Sequence, residues 1–413
     1  MKIFMDVTSS CTSVQNTGMQ RMSRKIFGEL SRRQGIAVRP ICWNRVGQGY
    51  VELGEPERRY LTKPFQVRAR SMSRPDLMGR DPFSEFIRWL GRRRIDLKAE
   101  IGDEDVFLVP DIYRDSRRLK LADFLRQTPA RKVAIFHDAT DLRLTSVYGD
   151  RSRKSRPYLE SLSLFDLVIC VSEEAEQDLH FFWKKYGCRR TASCVEPWPC
   201  ELEAFGEERQ VAMAEVPESA RGGEGAVLYV SSFHGRKNHL LLLHAAEKLW
   251  NEGLRFQLCL IGKNVGAPWN KIVRQIRALQ MRGRPLRWLR HVNDEILLRA
   301  YRECSFTVYP SLMEGFGLPI VESLLHGKPC ICGGNGALGE VARGGGCLVV
   351  DQRSEEALAA GIKKLLTDRD TYARFCAEAR ARRFRSWSDY TEKLIEHLQP
   401  LSLRAPTRRV ERV

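Results

Sequence analysis

Short apolar segments recur along this chain with helical stretches between them, and that alternation leaves few folds open. Residues 3–7, 36–41, 106–109, 133–136 and 167–171 read as buried strands. A helical pattern with Met22, Ile26, Phe27 and Leu30 on one face follows the first of them. Residues 201–225 interrupt the pattern with a polar, acidic, glycine-bearing stretch, after which the alternation restarts. Strands are expected at 226–230, 256–261, 306–309, 329–332 and 347–350, and helices at 239–250, 269–280, 294–302, 319–326, 355–366 and 371–382. Strand and helix taking turns argues for a parallel sheet covered on both faces. The fold class is therefore α/β, with two Rossmann-like, doubly wound domains. The expected division is 1–205 for the N-terminal domain, 206–225 for a linker, 226–385 for the C-terminal domain and 386–413 for a C-terminal helix and basic tail. Ligands of such sheets lie at the carboxyl ends of the strands, so a shared ligand is expected in a cleft between the domains.

Composition narrows the function classes. With 413 residues and 43% hydrophobic residues the chain can fill two or three cores, which excludes general disorder. No apolar run approaches the ~18–20 residues that span a bilayer. The start, MKIFMDVTSS, has no long apolar core and no small-residue cleavage site, so no secretory signal is expected. The twelve cysteines are scattered, often within apolar stretches (Cys170, Cys259, Cys330, Cys332, Cys347), a pattern of reduced thiols and a cytoplasmic setting. Cys188, Cys194 and Cys200 lack CxxC spacing and histidine partners, so no zinc site is expected there. The formal net charge of +17 points to an anionic partner: nucleic acid, lipid headgroups or a phosphorylated substrate. Residues 58–98 hold twelve Lys or Arg against four Asp or Glu, so the excess is concentrated.

Four motifs carry chemistry. In Pro310-Ser-Leu-Met-Glu-Gly-Phe-Gly-Leu-Pro-Ile-Val-Glu322 a strand ends, a glycine-bearing loop turns and a helix begins, with Pro319 expected at the first helical position. Gly315 and Gly317 permit close backbone approach, and the N–H groups of Gly317 and Leu318 lie near a helix N-terminus suited to sugar hydroxyls or phosphate oxygens. Glu314 precedes the helix and Glu322 lies about one turn inside it, so both carboxylates can face an extended polar ligand at different depths. In Tyr229-Val-Ser-Ser-Phe-His-Gly-Arg-Lys-Asn238, Arg236 and Lys237 are adjacent cations entering a helix, where a diphosphate is the natural partner. Gly18, opening the first long helix, is a further point of phosphate approach. His137, beside Asp138, stands at the carboxyl end of an apolar strand, where catalytic groups of parallel sheets sit.

Together these motifs resemble a retaining glycosyltransferase of the GT-B fold, family 4 (glycosyl transferases group 1). The likeness runs through VLYVSSFHGRKN, LCLIGKN, VNDEILLRAYRECSFTVYPSLMEGFGLPIVESLLHGKPCI and the helices to about residue 390, and more thinly through the Gly18 loop, His137-Asp138 and DLVICVSEEAEQDL. The resemblance implies that the first domain binds the acceptor and the second a nucleotide-sugar donor. It implies that Arg236 and Lys237 hold the donor diphosphate and that Glu314 contacts the sugar ring. Phe316, Gly317 and Leu318 would present backbone to sugar and phosphate, and Glu322 would bind ribose hydroxyls. Gly18 would approach the diphosphate, His137 would lie beside the transferred sugar, and the nucleobase would rest near His291 and Val292. The helix from Trp387 would cross back to the first domain. Ser231-Ser232 departs from the family's usual Val-Gly, but Ser232 is small enough to keep backbone approach to the donor open. The first loop likewise has one glycine where a pair is common.

Charge sets the expected mechanism. Breaking a glycosyl–phosphate bond builds negative charge on the leaving diphosphate. Arg236, Lys237 and helix dipoles can absorb it, so no metal and no cofactor is expected. Retention in this family is attributed to front-face attack, with the leaving phosphate helping to deprotonate the acceptor. Glu314→Ala or Lys237→Ala is expected to nearly abolish transfer with the fold intact. The second half looks most like bacterial mannosyl- and rhamnosyl-type enzymes of surface polysaccharide assembly, making GDP-mannose the first expectation for the donor and a glycan or lipid-linked molecule the acceptor. A UDP- or dTDP-sugar with a small-molecule acceptor is the alternative. A basic nucleic-acid-binding protein is the alternative from another class, but no binding module accompanies the charge and it leaves Glu314 and Glu322 without a role. A pyridoxal-phosphate phosphorylase would need a cofactor lysine and a much longer chain.

The +8 stretch contains FSEFIRWLGRRR at residues 83–94, with Phe83, Phe86, Ile87 and Leu90 on one helical face. Two readings follow. Such a helix can lie on an anionic membrane, peripheral to its inner face. Alternatively it packs its apolar side on the first domain and leaves arginines in water, which is the favoured expectation.

Overall fold

Buried apolar runs become strands throughout the chain. A computed structural model describes residues 1–12, 18–62, 82–113, 115–200, 225–290 and 292–399. Internal contacts divide the chain into unit 1 (residues 1–142, 150–198 and 386–413) and unit 2 (residues 143–149 and 199–385). The expected linker at 206–225 lies outside the described residues except for Gly225, and so does the tail beyond residue 399.

Unit 1 is built on eight strands: β1 Lys2–Asp6, β2 Ala37–Asn44, β3 Gly49–Glu52, β4 Arg94–Ile95, β5 Val106–Val109, β6 Arg131–Phe136, β7 Leu167–Cys170 and β8 Ala192–Val195, in the order β4-β3-β2-β1-β5-β6-β7-β8. Ile3, Phe4 and Met5 of β1 are fully buried, as expected of a strand covered on both faces. The sheet departs from the all-parallel expectation at one edge. There β3 runs antiparallel to β2, pairing Tyr50 with Trp43, and β4 runs antiparallel to β3. These strands are too short, at four and two residues, to show a period in the sequence, and a tight turn through Gln48 at φ 50° sets them. The polar edge strand β8 was equally silent.

The helix Trp387–Leu398 belongs to unit 1. A reciprocal Ser386–Asp389 capping box starts it, and Tyr390, Leu394 and Leu398 are buried. Arg33 donates to the Ser388 hydroxyl at 2.8 Å, and His397 Nε2 lies 2.9 Å from Glu196.

The favoured expectation for residues 83–94 is overturned. The helix spans Pro82–Gly91, and Phe83, Phe86, Ile87 and Leu90 all face outward, while Arg94 belongs to β4. The arginine half of the expectation holds in part: Arg93 and Arg94 are exposed, although Arg92 pairs with Glu57 at 3.0 Å and Arg93 with Glu52 at 2.8 Å and Glu100 at 2.9 Å. Polar anchoring of the helix's other side is what reverses it.

Unit 2 holds a fully parallel sheet of β9 Ala226–Val230, β10 Gln257–Ile261, β11 Leu286–Leu289, β12 Phe306–Tyr309, β13 Cys330–Cys332 and β14 Cys347–Val349, ordered β11-β10-β9-β12-β13-β14. Its helices, among them His239–Asn251, Asp294–Glu303 and Glu355–Thr367, start and stop within two residues of expectation. Asn293, Ser354 and Asp368 cap three of the N-termini in this unit, each accepting from a backbone N–H in the first turn. Crossovers run one way from β9 to β10 and the other way to β12. The carboxyl ends of β9 and β12 therefore flank the topological switch point, where α/β sheets bind ligands. All twelve cysteines are free of disulfides.

Candidate active site

Two loops leave those strand ends. After β9 the chain is held to β10 by Ser231 N–H donating to the Ile261 carbonyl at 2.8 Å. Gly262, at φ 151°, makes this possible, since a Cβ there would fall 1.9 Å from the Ser231 oxygen. Ser231 and Ser232 are half-buried. A single 3-10 turn, Gly235–Lys237, then presents both cations, and Asn238 at φ 59° joins it to the helix His239–Asn251. The Asn238 side chain donates to the Gln352 carbonyl at 2.6 Å.

After β12, Leu312 N–H donates to the Arg236 carbonyl at 2.8 Å, tying the second loop to the first. Gly317 takes φ 105° as the N-cap of the helix Leu318–Leu325, and Pro319 occupies its second position rather than its first. The shift changes little, because no N–H in the first helical turn has an intrahelical partner. The N–H groups of Gly317 and Leu318 donate to no acceptor among the described residues.

The two loops bring Arg236, Lys237 and Glu314 together. Glu314 is 8% exposed. Its Oε1 accepts from Lys237 Nζ at 2.6 Å, from the Tyr309 hydroxyl at 3.0 Å and from the Ser311 hydroxyl, while Oε2 pairs with Arg236 Nη1. Arg236 Nη1 also donates to the Met313 carbonyl at 2.8 Å, and Lys237 Nζ to the Tyr309 hydroxyl at 2.6 Å. Burial pushes the Glu314 carboxyl up, but Arg236 and Lys237 outweigh it and hold the group at about 2. Burial together with Arg236 and Lys237 brings the neighbouring His234 down to about 4. One carboxylate thus pairs with both adjacent cations.

Glu322, buried on the helix Leu318–Leu325, accepts from the Tyr301 hydroxyl at 2.8 Å. Tyr301 stacks on His326 with ring centres 5.1 Å apart, and His326 Nδ1 lies 2.8 Å from the Glu322 carbonyl. Val292 packs on the small cluster of Leu228, Ile261, Tyr301 and Cys304. His291 lies outside the described residues. Phe316 and Leu318 rest their side chains partly against the unit 2 core, so the loop can offer backbone outward.

Gly18 and His137 belong to unit 1. Gly18 opens the helix Gly18–Arg32. His137 follows β6 and is 2% exposed; its Nε2 lies 2.6 Å from the Pro110 carbonyl, and its ring meets Trp198 edge-on at 5.3 Å. Burial holds its imidazole below the usual value, against the pull of the Pro110 carbonyl and Asp138. The next residue, Asp111, accepts from Ser23 of that helix at 2.6 Å and from Ser10 at 3.0 Å, linking the histidine's anchor to the Gly18 helix.

Sequence reasoning missed Tyr309, Ser311 and Tyr301. The first two flank Pro310 inside the recognised motif and could have been read as second ligands of Glu314. Tyr301 has no local signal, since it reaches Glu322 only through packing of the helix Asp294–Glu303.

Residues 215–382 match the family model described as Glycosyl transferases group 1. The serotype-specific mannosyltransferase WbdA of Escherichia coli is 26% identical over 347 residues, covering 80% of this chain and 38% of WbdA, so the chain spans well under half the length of that relative. The O-antigen chain mannosyltransferase B of Escherichia coli is 28% identical over 272 residues, covering 64% of this chain and 69% of the relative. Sucrose-phosphate synthase from Thermosynechococcus elongatus superposes with a TM-score of 0.66 at 18% identity, covering 96% of this chain and 98% of the other. Anabaena Alr3699/HepE, solved with UDP and glucose, gives 0.63 at 16% identity over 96% and 99% of the two chains. Residues 215–382, which hold the E-x7-E loop and the adjacent cation pair, are similar to the group 1 glycosyltransferases, and the two α/β units have the GT-B fold of the solved neighbours.

Proposed function

We propose that the chain moves mannose from GDP-mannose, with retention, to a glycan or lipid-linked acceptor in the assembly of a bacterial surface polysaccharide, on the cytoplasmic side of the membrane. The observation that carries this reading is the interlocked Arg236–Lys237–Glu314 cluster at the carboxyl ends of β9 and β12. The names of the mannosyltransferase relatives support the choice of sugar and acceptor class.

In this scheme the bond from the sugar C1 to the diphosphate oxygen breaks, and an acceptor hydroxyl forms a new C1–O bond on the same face. Its proton passes to the departing phosphate oxygen. Arg236 supplies a fork and Lys237 a point charge to the leaving diphosphate, joined by the open N–H groups of Gly317 and Leu318 at a helix N-terminus. Those groups absorb the developing charge without a metal. Glu314 positions both cations, and its Oε2, with one partner, keeps a lone pair for a sugar hydroxyl. Glu322, already oriented by Tyr301, takes the ribose hydroxyls, and Ser232 and Val292 border the nucleotide. In unit 1, Gly18 and His137 keep the diphosphate and sugar roles that the resemblance implies.

The test is a thermal-shift panel of GDP, UDP and dTDP followed by transfer from labelled sugars. GDP at 100 times its dissociation constant should stabilise the protein by ~2.7 kcal/mol. A shift with UDP or dTDP in place of GDP would reassign the donor. No shift with any of them, and no turnover of any labelled sugar, would overturn the reading.

A further inference from the structure

Two neighbours hold Glu322 within unit 2. The Tyr301 hydroxyl donates to its Oε2 at 2.8 Å, and Tyr301 itself is 1% exposed. The phenol has little freedom to turn away. Its ring packs among Leu228, Ile261 and Cys304, with Val292 and Leu297 against the same cluster, and His326 stacks on it with 11° between the planes. His326 is in turn fixed to the helix Leu318–Leu325. Its Nδ1 donates to the Glu322 carbonyl at 2.8 Å, since a carbonyl only accepts. The next residue, Ser323, accepts from the Thr307 hydroxyl of β12 at 2.7 Å, which pins the same turn to the sheet. Backbone and carboxylate of one glutamate are thus both set by the fold.

Burial alone explains why Glu322 has a partner, because a carboxylate this deep needs hydrogen bonds. It does not explain so rigid a partner. Burial and Glu322 both push the Tyr301 hydroxyl up, so the phenol keeps its proton and stays a donor. A glutamate not held this way loses rotamer freedom when a ligand fixes it; here that loss is taken on folding. A carboxylate offers about four acceptor positions, and the phenol takes one. Two oxygens in a fixed plane accept a vicinal diol as a fork, one hydroxyl to each, whereas a 2′-deoxy sugar brings a single donor to the same pair. The acid then keeps an acceptor position out of water with nothing to fill it. Polar sites therefore reject an analogue lacking a hydroxyl far more strongly than apolar pockets reject one lacking a methylene.

We propose that Tyr301, clamped by His326, is a positioning residue for Glu322 and makes the donor site selective for ribonucleotides, requiring both ribose hydroxyls. The proposal rests on the reading that Glu322 takes the ribose of a nucleotide donor; it admits GDP and UDP alike and disfavours dTDP. Calorimetric titration of the full chain compares GDP with 2′-deoxy-GDP and UDP with 2′-deoxy-UDP. Whichever ribonucleotide binds should do so ~10–100-fold more tightly than its deoxy partner. In Tyr301→Phe the ribonucleotide should bind ~10-fold more weakly while its deoxy partner changes little, so the ratio falls. In turnover the loss should fall on donor KM rather than on kcat. His326→Ala keeps the hydroxyl but removes the stacked ring; it should lower the ratio in the same direction, and it carries the test if Tyr301→Phe fails to fold. A ratio unchanged in both variants overturns the proposal. So does a Tyr301→Phe variant that weakens both nucleotides in step, the mark of a merely structural tyrosine. Equal binding of a ribonucleotide and its deoxy partner by the wild-type chain also overturns it and leaves the donor reading standing. Binding of none of the four nucleotides removes the donor reading, and this proposal with it.

Discussion

Lys237 Nζ lies 2.6 Å from Glu314 Oε1 and 2.6 Å from the Tyr309 hydroxyl, so a lysine and a glutamate 77 residues apart form one hydrogen-bonded centre across neighbouring strands. Lys237→Ala removes a cation that the proposed mechanism sets on the leaving diphosphate. Its turnover should fall by about 10²–10³-fold, the range seen when one preorganised charge-stabilising donor is lost. The GDP-induced thermal shift should shrink in parallel, and a variant with near-normal turnover would remove Lys237 from the mechanism.

Glu314 also contributes to stability, so its replacement is expected to cost stability as well as transfer. Its folded pKa is depressed to about 2 from 4.5. The stabilisation is therefore fully present above pH 4.5 and is lost as pH falls toward 2. Glu314→Gln should cost about 3 kcal/mol at neutral pH, since it removes the charge that Glu314 sets against Arg236 and Lys237. Urea midpoints measured from pH 7 downward should keep wild type and variant apart until pH 4.5 and then draw them together.

Tyr309→Phe deletes a hydroxyl that accepts from Lys237 and donates to Glu314. The expected loss is about 1 kcal/mol of stability. Turnover should drop about 10-fold because the lysine is less firmly placed. A kcat effect without a change in donor KM would show that placement, not donor affinity, is what the hydroxyl supplies.

Gly262→Ala places a methyl 1.9 Å from the Ser231 carbonyl oxygen at a φ of 151°. Backbone cannot yield as a side-chain tip can, so the variant should lose roughly 3 kcal/mol or more, read as a lowered melting temperature. It should also weaken nucleotide binding, because Ser231-Ser232 must move.

In the proposed mechanism two cations and a helix N-terminus take the charge that a divalent ion takes elsewhere, so prolonged EDTA treatment followed by desalting should leave sugar transfer within about twofold of the untreated protein. Recovery of activity only on adding Mg²⁺ or Mn²⁺ would require a different account of the leaving group.

Much of this protein is local in origin. Strands covered on both faces are mostly apolar, so residues 3–7, 106–109 and 306–309 announce themselves despite Asp6 and Thr307, and capping residues bound the unit 2 helices closely. Gly317, Pro319 and the paired carboxylates likewise sit in one short stretch from loop into helix, where spacing alone reveals a strand–turn–helix with chemistry. The cations Arg236 and Lys237 were legible for the same reason. Their pairing with Glu314 was not, because it depends on β9 and β12 being neighbours, and strand order is a property of the assembled sheet. Tyr301 reaches Glu322 only through helix packing. The helix Pro82–Gly91 shows the division most plainly: its periodicity determined that Phe83, Phe86, Ile87 and Leu90 share a face. Which way that face points was decided by Glu85 and Trp89 meeting Arg45 and Gly47, contacts that exist only once the antiparallel edge of the sheet has formed.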